Sequence, residues 1–410
     1  MKAPDIRVEL YESFSELSTA GANITISKRA RYILHKMNLE DACLKACRNA
    51  GDDKSKSPDL QETNKSTFRR LDALRISRGD FMKILFNSVP SKNLRLGKKL
   101  TKYTFIRENG PIGLQFSDGT RAICDVLVGS DGVRSTVRGQ LMREKARLSD
   151  DDTFHKHVDP RWSGTIIYRS LIPRSRLAVQ NPNHSLLSTG QIYLGNNQHI
   201  TAHPFSNGML DVAISITDLS KEGSPWPSNN WSSQLDKETS RRKLAKRFLD
   251  SNKEVQDLIK VFDMSIETAV MDVEPLPFYV RGHVALIGDA AHSALPYTGG
   301  NASMAIEDAY ALGRILRISM TTKDTLPISL RAYQRIRKPH GNNNIHNARQ
   351  VLREFQLNGN SGTDMESAIQ RIRYHFHETF ATTESTPDTD LRMALSWMNS
   401  EMSKSRHGRS

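Results

Sequence analysis

The segment GHVALIGDAAHSALPYTGGNASMAIEDA, residues 282–309, contains a strand, a loop and the start of a helix in direct succession. The run HVALIGDA (283–290) is almost continuously apolar, which predicts a buried strand. A loop rich in glycine and proline follows, and NASMAIEDAYALGRILRI (301–318) predicts a helix, whose free N–H groups would attract an anion or a carbonyl oxygen. Asp289, at the carboxyl end of the strand, is placed to bind hydroxyl groups of a cofactor chain. Apolar spacing predicts one buried helix face, made of Ala305, Ala309, Leu312, Ile315 and Leu316.

A second strand-and-turn segment, CDVLVGSDGVRSTVR (124–138), lies closer to the N-terminus. Its apolar run predicts a strand, and its two inner glycines allow the backbone to turn tightly beside a ligand. Asp131, together with Arg134 and Arg138 near the start of the next helix, suits contacts with phosphate and ribose. Taken alone, the segment also fits an ordinary turn from a strand to a helix with a capping aspartate.

A third segment, IRVELYE (6–12), alternates like a strand and ends in Glu12. A carboxylate at the end of a strand in a dinucleotide-binding fold accepts hydrogen bonds from the ribose hydroxyls. An acidic residue after a strand is common in any fold, so Glu12 is a candidate only in combination with the other two segments.

Between these segments the pattern becomes mainly β. Residues 161–216 contain the short runs GTIIYRSL, GQIYLG, HITAHPF and LDVAISI, which predict strands. The final part of the chain is polar and helical in pattern. The order predicts an α/β domain that is interrupted by a mainly β domain and then resumed, an arrangement that identifies no chemistry by itself.

The composition excludes several classes of protein. The chain has 410 residues, a net charge of +13 and 37% hydrophobic residues, which is typical of a globular protein. Mean hydropathy is −0.53 and no long apolar run occurs, so we expect no membrane span. The basic residues are scattered, and dense runs such as 241–247 carry no interleaved aromatic residues, so we expect no nucleic-acid partner. Cys43, Cys47 and Cys124 form neither a disulfide framework nor a metal site, which favours a cytoplasmic location and no bound metal.

Together, residues 125–138 and 288–309 resemble the FAD-dependent aromatic hydroxylases, the group related to para-hydroxybenzoate and salicylate hydroxylases. Weaker similarity runs from about residue 6 to about residue 345. The resemblance implies an α/β fold: an FAD-binding Rossmann-like domain, an inserted mainly β substrate domain and a C-terminal helical segment. It assigns residues 1–150 and 271–350 to the FAD-binding domain, 151–270 to the substrate domain and 351–410 to the C-terminal segment.

The resemblance also implies an activity. A flavin-dependent monooxygenase of this kind uses FAD, NAD(P)H and dioxygen to hydroxylate an aromatic or polyketide-like small molecule, often in secondary metabolism. Two alternatives stay open: an FAD-dependent epoxidase of a terpenoid-type substrate, and a truncated, catalytically silent remnant of the same fold. The fold does not distinguish them, because pocket shape decides which carbon is oxidised.

Matching positions in this group of proteins hold the cofactor. Glu12 would bind the adenosine ribose, and Asp289 would contact the cofactor chain. Asp131 and Arg134 would connect the second segment to FAD and to use of the nicotinamide cofactor. The cofactor-binding residues that the resemblance implies are Glu12, Ala22, Arg78, Asp131, Asp289 and Ala302.

Three residues of the predicted β domain are candidates for catalysis. His199 and His203 match positions near the substrate in some relatives, and the two-residue period of a strand sets both on one face. A base there could deprotonate a phenol or enol and make the ring electron-rich. Arg169 matches a position that orients an acidic substrate. Surface histidines and a surface strand arginine are the alternative interpretation.

One departure from the group concerns the pyrophosphate. Members begin with a strand and a G-x-G-x-x-G turn some 25–30 residues before the ribose acid, which here is Glu12. None of the 24 glycines is separated from another by a single residue, so the motif does not occur in these 410 residues. We therefore expect an N-terminally incomplete FAD-binding domain. The loop also departs, reading Gly299-Gly300-Asn301-Ala302-Ser303 where the group has G-Q-G-x-N.

Overall fold

The computed structural model describes residues 6–16, 23–49, 74–107, 110–204, 208–357, 365–380 and 386–407. Its strands are β1 (Leu10–Tyr11), β2 (Asn23–Ile26), β3 (Leu74–Ser77), β4 (Leu94–Arg95), β5 (Leu100–Phe105), β6 (Ile112–Phe116), β7 (Arg121–Cys124), β8 (Leu127–Gly129), β9 (Arg161–Pro173), β10 (Gln191–Gly195), β11 (Gln198–Pro204), β12 (Met209–Thr217), β13 (Ser232–Leu235), β14 (Ser265–Asp272), β15 (Val280–Arg281) and β16 (Val284–Leu286). Its α-helices are α1 (Lys28–Lys36), α2 (Glu40–Asn49), α3 (Arg78–Ser88), α4 (Thr136–Ser149), α5 (Arg174–Gln180), α6 (Lys237–Ala245), α7 (Lys253–Val261), α8 (Asp289–His292), α9 (Asn301–Leu316), α10 (Leu326–Phe355), α11 (Met365–Phe380) and α12 (Pro387–His407). Across these ranges, no helix combines the length and the apolar character needed to cross a membrane.

The largest sheet lies in the middle of the chain and has six strands in the order β10-β11-β12-β9-β14-β13. Its neighbouring strands are all antiparallel. Alternating apolar residues bury one face of this sheet against α5, α6 and α7, with Ile172, Leu210 and Ile214 fully buried there. The predicted mainly β region is therefore present, while the domain boundaries given above stay a prediction.

Parallel pairing occurs in two short pairs of described strands. β8 pairs with β16, with Leu127 opposite Val284, and β1 pairs with β4, with Leu10 opposite Leu94. All of β16 is buried, as the apolar run predicts. Among the described strands, neither β8 nor β1 has a neighbour on its other edge. Both edges therefore present unpaired backbone groups that a further strand could bind.

Helix α9 follows the glycine-rich loop, as the sequence predicts, and packs against α1, α10 and α12. The predicted apolar face is right in part, since Ile315 is buried. Ala309, however, is exposed, while Glu307 and Asp308 are buried. Burial of two carboxylates is possible here because buried arginines neutralise them, as described below.

Candidate cofactor and substrate site

The strand β16 leads into a turn that requires glycine. Gly288 has φ +57° and ψ −143°, a backbone conformation that residues with a side chain rarely adopt. Its N–H donates to Oδ2 of Asp308 at 2.9 Å. A Cβ atom at this position would lie 3.3 Å from Cβ of Ala305, so α9 passes close to the turn. Residues 287–290 are called the GD turn below.

Asp289 lies on the GD turn with its side chain exposed to solvent. Burial by the surrounding protein nevertheless raises the pKa of Asp289, and the charges of His292, Arg78 and Arg138 oppose that rise. The structure therefore brings together two of the predicted cofactor residues, Asp289 and Arg78, and sets the buried Arg138 beside them.

The second predicted turn, residues 130–133 and called the DG turn below, uses Asp131 as a helix cap. One carboxylate oxygen accepts the N–H of Val137 at 3.1 Å and the other accepts the Ser135 hydroxyl. Ser135 in turn accepts the N–H of Arg138 at 2.9 Å. These bonds satisfy the first N–H groups of α4, so this helix start has little left to offer a phosphate.

Arg138 is fully buried and joins the two turns. Its guanidinium donates to the carbonyl of Val133 at 2.6 Å and to that of Ala290 at 3.2 Å. Burial lowers the pKa of Arg138 to about 10, although Asp131, Asp159 and Asp289 act against the shift. The sequence suggested phosphate contact for this residue. The structure instead uses it to hold the DG turn against the GD turn.

The loop between the GD turn and α9 leaves backbone N–H groups at the start of α9 without a capping side chain among the described residues. Asn301 donates from Nδ2 to the carbonyl of Ala294 at 2.7 Å, and Ser303 accepts the N–H of Ser27 at 2.8 Å, so the loop is held on both sides. Among the described residues, no side chain caps α9. Ala302, the second residue of α9, is half-buried at this start. The N–H groups of this turn can therefore bind an oxygen atom of a ligand.

Two predicted cofactor residues lie apart from this cluster. Glu12 follows β1, and its carboxylate accepts the N–H of Phe14 at 3.0 Å and the hydroxyl of Ser13 at 3.1 Å. Within the described ranges, no hydrogen bond or ion pair joins Glu12 to Asp289. Ala22 lies outside the described residues.

The residues present fit one part of FAD and not another. An exposed carboxylate, a nearby arginine and an uncapped helix start suit the hydroxyl groups and carbonyl oxygens of the flavin half. The pyrophosphate is different, because α1, α3 and α4 each begin with a serine whose side chain already accepts one N–H group of the first turn. In the described part of the chain, no glycine-rich helix start beside β1 or β8 replaces them.

One face of the six-stranded sheet carries the three catalytic candidates. Ile200 and Ala202 belong to the core formed with α6 and α7, so His199 and His203 point to the opposite face. Arg169 shares this face, because the register of β9 with β12 and of β12 with β11 brings it level with the residue between the two histidines. The alternation predicted from the sequence is present.

His199 connects this face to the loop before α9. Its ring lies 5.0 Å from that of Tyr297 and 4.7 Å from that of Phe355, measured between centroids. It is 1% exposed, and neither ring nitrogen has a hydrogen-bond partner among the described residues. Desolvation lowers the pKa of His199 to about 3, so the ring is uncharged near neutral pH. His199 is therefore not a surface histidine, and it is a weak base where it lies.

Arg169 binds a carboxylate, that of Asp211, which the sequence analysis did not predict. Arg169 donates from Nε to Asp211 at 2.9 Å and from Nη2 to its second oxygen. Asp211 is the cross-strand neighbour of His203 and is buried. The half-buried ring of His203 lies over Gly190, where a Cβ atom would come within 2.3 Å of Nδ1. Cross-strand register is the only signal that could have found Asp211.

A buried ion network supports the GD turn. Arg337 donates to Asp308 at 2.8 Å and to Glu307 at 2.8 Å. Arg29 continues the network from Glu307, at 3.2 Å, to Asp390 of α12, at 2.5 Å. The last helix of the chain is thereby tied to the elements that hold the GD turn.

The chain is similar in sequence to known flavin-dependent proteins. The model of a family described as FAD binding domain matches residues 223–348. A salicylate hydroxylase of Pseudomonas putida is 27% identical over 346 residues, which is 82% of this chain and 77% of the relative. The 6-methylsalicylate 1-monooxygenase of Aspergillus terreus is 26% identical over 289 residues, covering 69% of this chain and 60% of the relative.

Solved structures show the same fold. A salicylate hydroxylase substrate complex superposes with a TM-score of 0.77 at 24% identity and covers 91% of this chain and 90% of its own. HpxO of Klebsiella pneumoniae, complexed with FAD and uric acid, superposes with a TM-score of 0.60 at 19% identity, covering 95% and 90%. In its fold and in its sequence over most of its length, the chain is similar to the FAD-dependent monooxygenases of the aromatic hydroxylase group.

Proposed function

We propose that the protein hydroxylates an aromatic or polyketide-like small molecule, using FAD, NAD(P)H and dioxygen. The observation that carries the proposal is the contact of the sheet face with the loop before α9. His199 contacts Tyr297 of the segment that leads to the uncapped helix start, and Arg169 and His203 share the sheet face that carries His199. The relatives named above are hydroxylases of salicylate and methylsalicylate, which supports an aromatic acid as the substrate class.

The chemistry that FAD supplies when bound is acceptance of a hydride from NAD(P)H and activation of dioxygen. The chain's own residues would bind and orient. Asp289 and Arg78 would hold hydroxyl groups of the cofactor, and the N–H groups at Ala302 would bind a carbonyl oxygen. Water would be excluded on the sheet side by the packing of Tyr297 and Phe355 around His199.

The substrate would lie on the open part of the sheet face. The side chain of Arg169 is 37% exposed and already fixed by Asp211, so it can orient a carboxylate without losing much conformational freedom. His203, beside the same Asp211, is the stronger candidate for accepting a phenolic proton. His199 is the weaker candidate, because desolvation lowers its pKa to about 3.

The test is incorporation of isotopically labelled dioxygen. Purified protein is loaded with FAD at a concentration high enough to saturate it, supplied with NAD(P)H and an aromatic acid such as salicylate, and the product is analysed by mass spectrometry. One labelled oxygen atom per product molecule is expected. A product whose new oxygen comes from water, or no product from any aromatic acid with flavin-loaded protein, would reject the proposal.

A further inference from the structure

The helices α10 and α12 pack together and leave a groove between them that is open to solvent. Its volume is about 320 Å³. Cations of α10 and one aromatic residue of α12 dominate its lining, which consists of Arg331, Gln334, Arg335, Lys338, Pro339 and Trp397. None of these residues belongs to the cofactor or substrate site described above. We call this groove, together with Met393 and Lys404 of α12, the α10–α12 surface.

The cations of this surface follow one side of α10. Arg331, Arg335 and Lys338 are spaced four and three residues apart, so their side chains lie along one edge of the helix. Arg331 and Arg335 are exposed, and neither forms an ion pair with a residue that the structure describes. Lys338 donates to the carbonyl of Pro277 at 3.0 Å, which holds the ammonium group without neutralising its charge. This edge of α10 therefore carries three positive charges.

The carboxylate that faces these cations is already paired. Lys404 donates from Nζ to Glu401 at 2.8 Å, and this hydrogen bond lowers the pKa of Glu401, helped by the charges of Lys404, Arg331 and Arg335. The pair has no net charge, so it does not offset the cations of α10. The α10–α12 surface therefore keeps three positive charges in excess, and such a surface attracts anions.

The second feature of this surface is apolar area beside the cations. The ring of Trp397 lies 5.9 Å from the guanidinium of Arg335. Met393 precedes Trp397 by four residues, so both side chains lie on one side of α12, and Met393 is 63% exposed. Pro339 of α10 is also exposed. A polyanion in water gains nothing from a protruding methionine, whereas a bilayer offers phosphate groups and an apolar interior side by side.

We propose that the α10–α12 surface binds the face of a membrane that contains anionic phospholipids. The negative potential of such a membrane attracts nearby lysine and arginine, and tryptophan is enriched at the level of the headgroups. Met393 would enter the boundary between headgroups and acyl chains, while the cations of α10 contact phosphate groups. The contact is confined to the membrane surface, because none of the described helices is suited to cross the bilayer. The proposal does not depend on the proposed function.

The experiment is co-sedimentation of the purified full chain with vesicles of phosphatidylcholine, with and without phosphatidylserine. The parent is compared with the α10 double variant, Arg331→Glu with Arg335→Glu, and with Met393→Gln. The matched control is the α6 double variant, Arg242→Glu with Lys246→Glu, which reverses two exposed cations at the same four-residue spacing in another part of the chain. Binding to heparin, a soluble polyanion, is measured for the same proteins, and circular dichroism checks that each variant is folded.

We expect the parent to bind vesicles that contain phosphatidylserine and not those of phosphatidylcholine alone. The α10 double variant should bind about tenfold more weakly or less, and the α6 double variant should match the parent. Met393→Gln should weaken vesicle binding about threefold or more without changing heparin binding. A shift of tryptophan fluorescence to shorter wavelength on vesicle binding should be present in the parent and absent in Trp397→Phe.

Two results would overturn the proposal outright. They are absence of binding to anionic vesicles, and an equal loss in both double variants, which would mean that the net charge of the whole protein attracts the vesicles. Vesicle binding that is unchanged by Met393→Gln, with heparin binding that is lost in the α10 double variant, would identify the surface as a site for soluble polyanions and would overturn the membrane assignment.

Discussion

The backbone N–H of Gly288 donates to the buried carboxylate of Asp308 across 2.9 Å. The same oxygen is 2.5 Å from Nε2 of His292, and the other oxygen accepts Nε of Arg337 at 2.8 Å. Asp308 therefore fixes the turn that carries Asp289, although it is itself out of reach of any ligand. The geometry of the GD turn therefore depends on the buried charge of Asp308.

Removing this charge should destabilise the fold. Asp308→Asn leaves Arg337 buried with one carboxylate fewer, and breaking a buried pair in this way costs about 3–5 kcal/mol. The free energy of unfolding from urea titration tests this, with Asp324→Asn, at an exposed position, as the control. A difference below about 1 kcal/mol would contradict the role given to Asp308.

The cost of Asp308→Asn should also depend on pH. Burial acts to raise the pKa of Asp308, but the charges of His292 and Arg337 hold it well below its ordinary value of 3.8. A carboxylate with a lowered pKa stabilises the folded state above its unfolded pKa, and that stability is lost as the pH falls through the folded value. The gap between parent and variant should therefore be largest near neutral pH and shrink in acid. If the difference in unfolding free energy between the parent and Asp308→Asn does not change with pH, the destabilisation comes from the altered shape of the side chain and not from loss of its charge.

We expect His199 to cause a second pH dependence of the free energy of unfolding, because it is buried without a charge. Its folded pKa of about 3 lies far below its ordinary value of 6.5, so between these values the unfolded chain binds the additional proton. Acid then favours unfolding, by up to about 1.4 kcal/mol per pH unit below 6.5. Urea unfolding should show this slope in the parent and not in His199→Phe. His155→Phe, at an exposed position, should keep the parental slope. Equal slopes in the parent and His199→Phe would show that His199 is not buried in its neutral form.

The two histidines should differ in catalysis. His203→Phe removes the candidate base and should lower the hydroxylation rate by about 10²–10⁴-fold without changing flavin content. NAD(P)H oxidation could continue uncoupled, with release of peroxide, so product and peroxide are measured separately. Gly190→Ala should have a weaker effect of the same kind, because the added methyl group displaces the His203 ring. If His203→Phe keeps the parental rate and coupling, the open sheet face is not the substrate site.

Local sequence patterns predicted the two turns and the shared face of His199 and His203. They could not predict the residues from distant parts of the chain that surround these turns and histidines. Asp211 lies 42 residues from Arg169 and meets it only through the register of β9 and β12. Apolar periodicity placed Ala309 in the core, whereas the structure buries Asp308 instead, because Arg337 arrives from another helix to neutralise it. The helical or strand periodicity of a sequence does not reveal contacts between residues that are distant in sequence.

Flavin affinity of these 410 residues should be low, since the described helices α1, α3 and α4 begin with serine caps and no G-x-G-x-x-G turn occurs in the sequence. A designed fusion that joins a strand, this glycine-rich turn and a helix to the chain should bind flavin more tightly and show visible flavin absorbance. The open edges of β8 and β1 give the added strand a place to pair. Stoichiometric flavin in the 410-residue protein as purified would show that the added unit is unnecessary.

The assignment of the GD turn as a flavin-binding site is tested most directly by the dissociation constant of FAD, from flavin fluorescence, in the parent, Asp289→Asn and Asp324→Asn. The fusion described above provides the same three proteins at higher affinity. A charged hydrogen bond to a cofactor hydroxyl is worth about 1.5–3 kcal/mol, so Asp289→Asn should bind FAD about ten- to a hundredfold more weakly while Asp324→Asn matches the parent. Arg169→Ala, on the sheet face, should leave FAD affinity unchanged. Equal FAD affinity of the parent and Asp289→Asn, in both forms of the protein, would contradict the assignment.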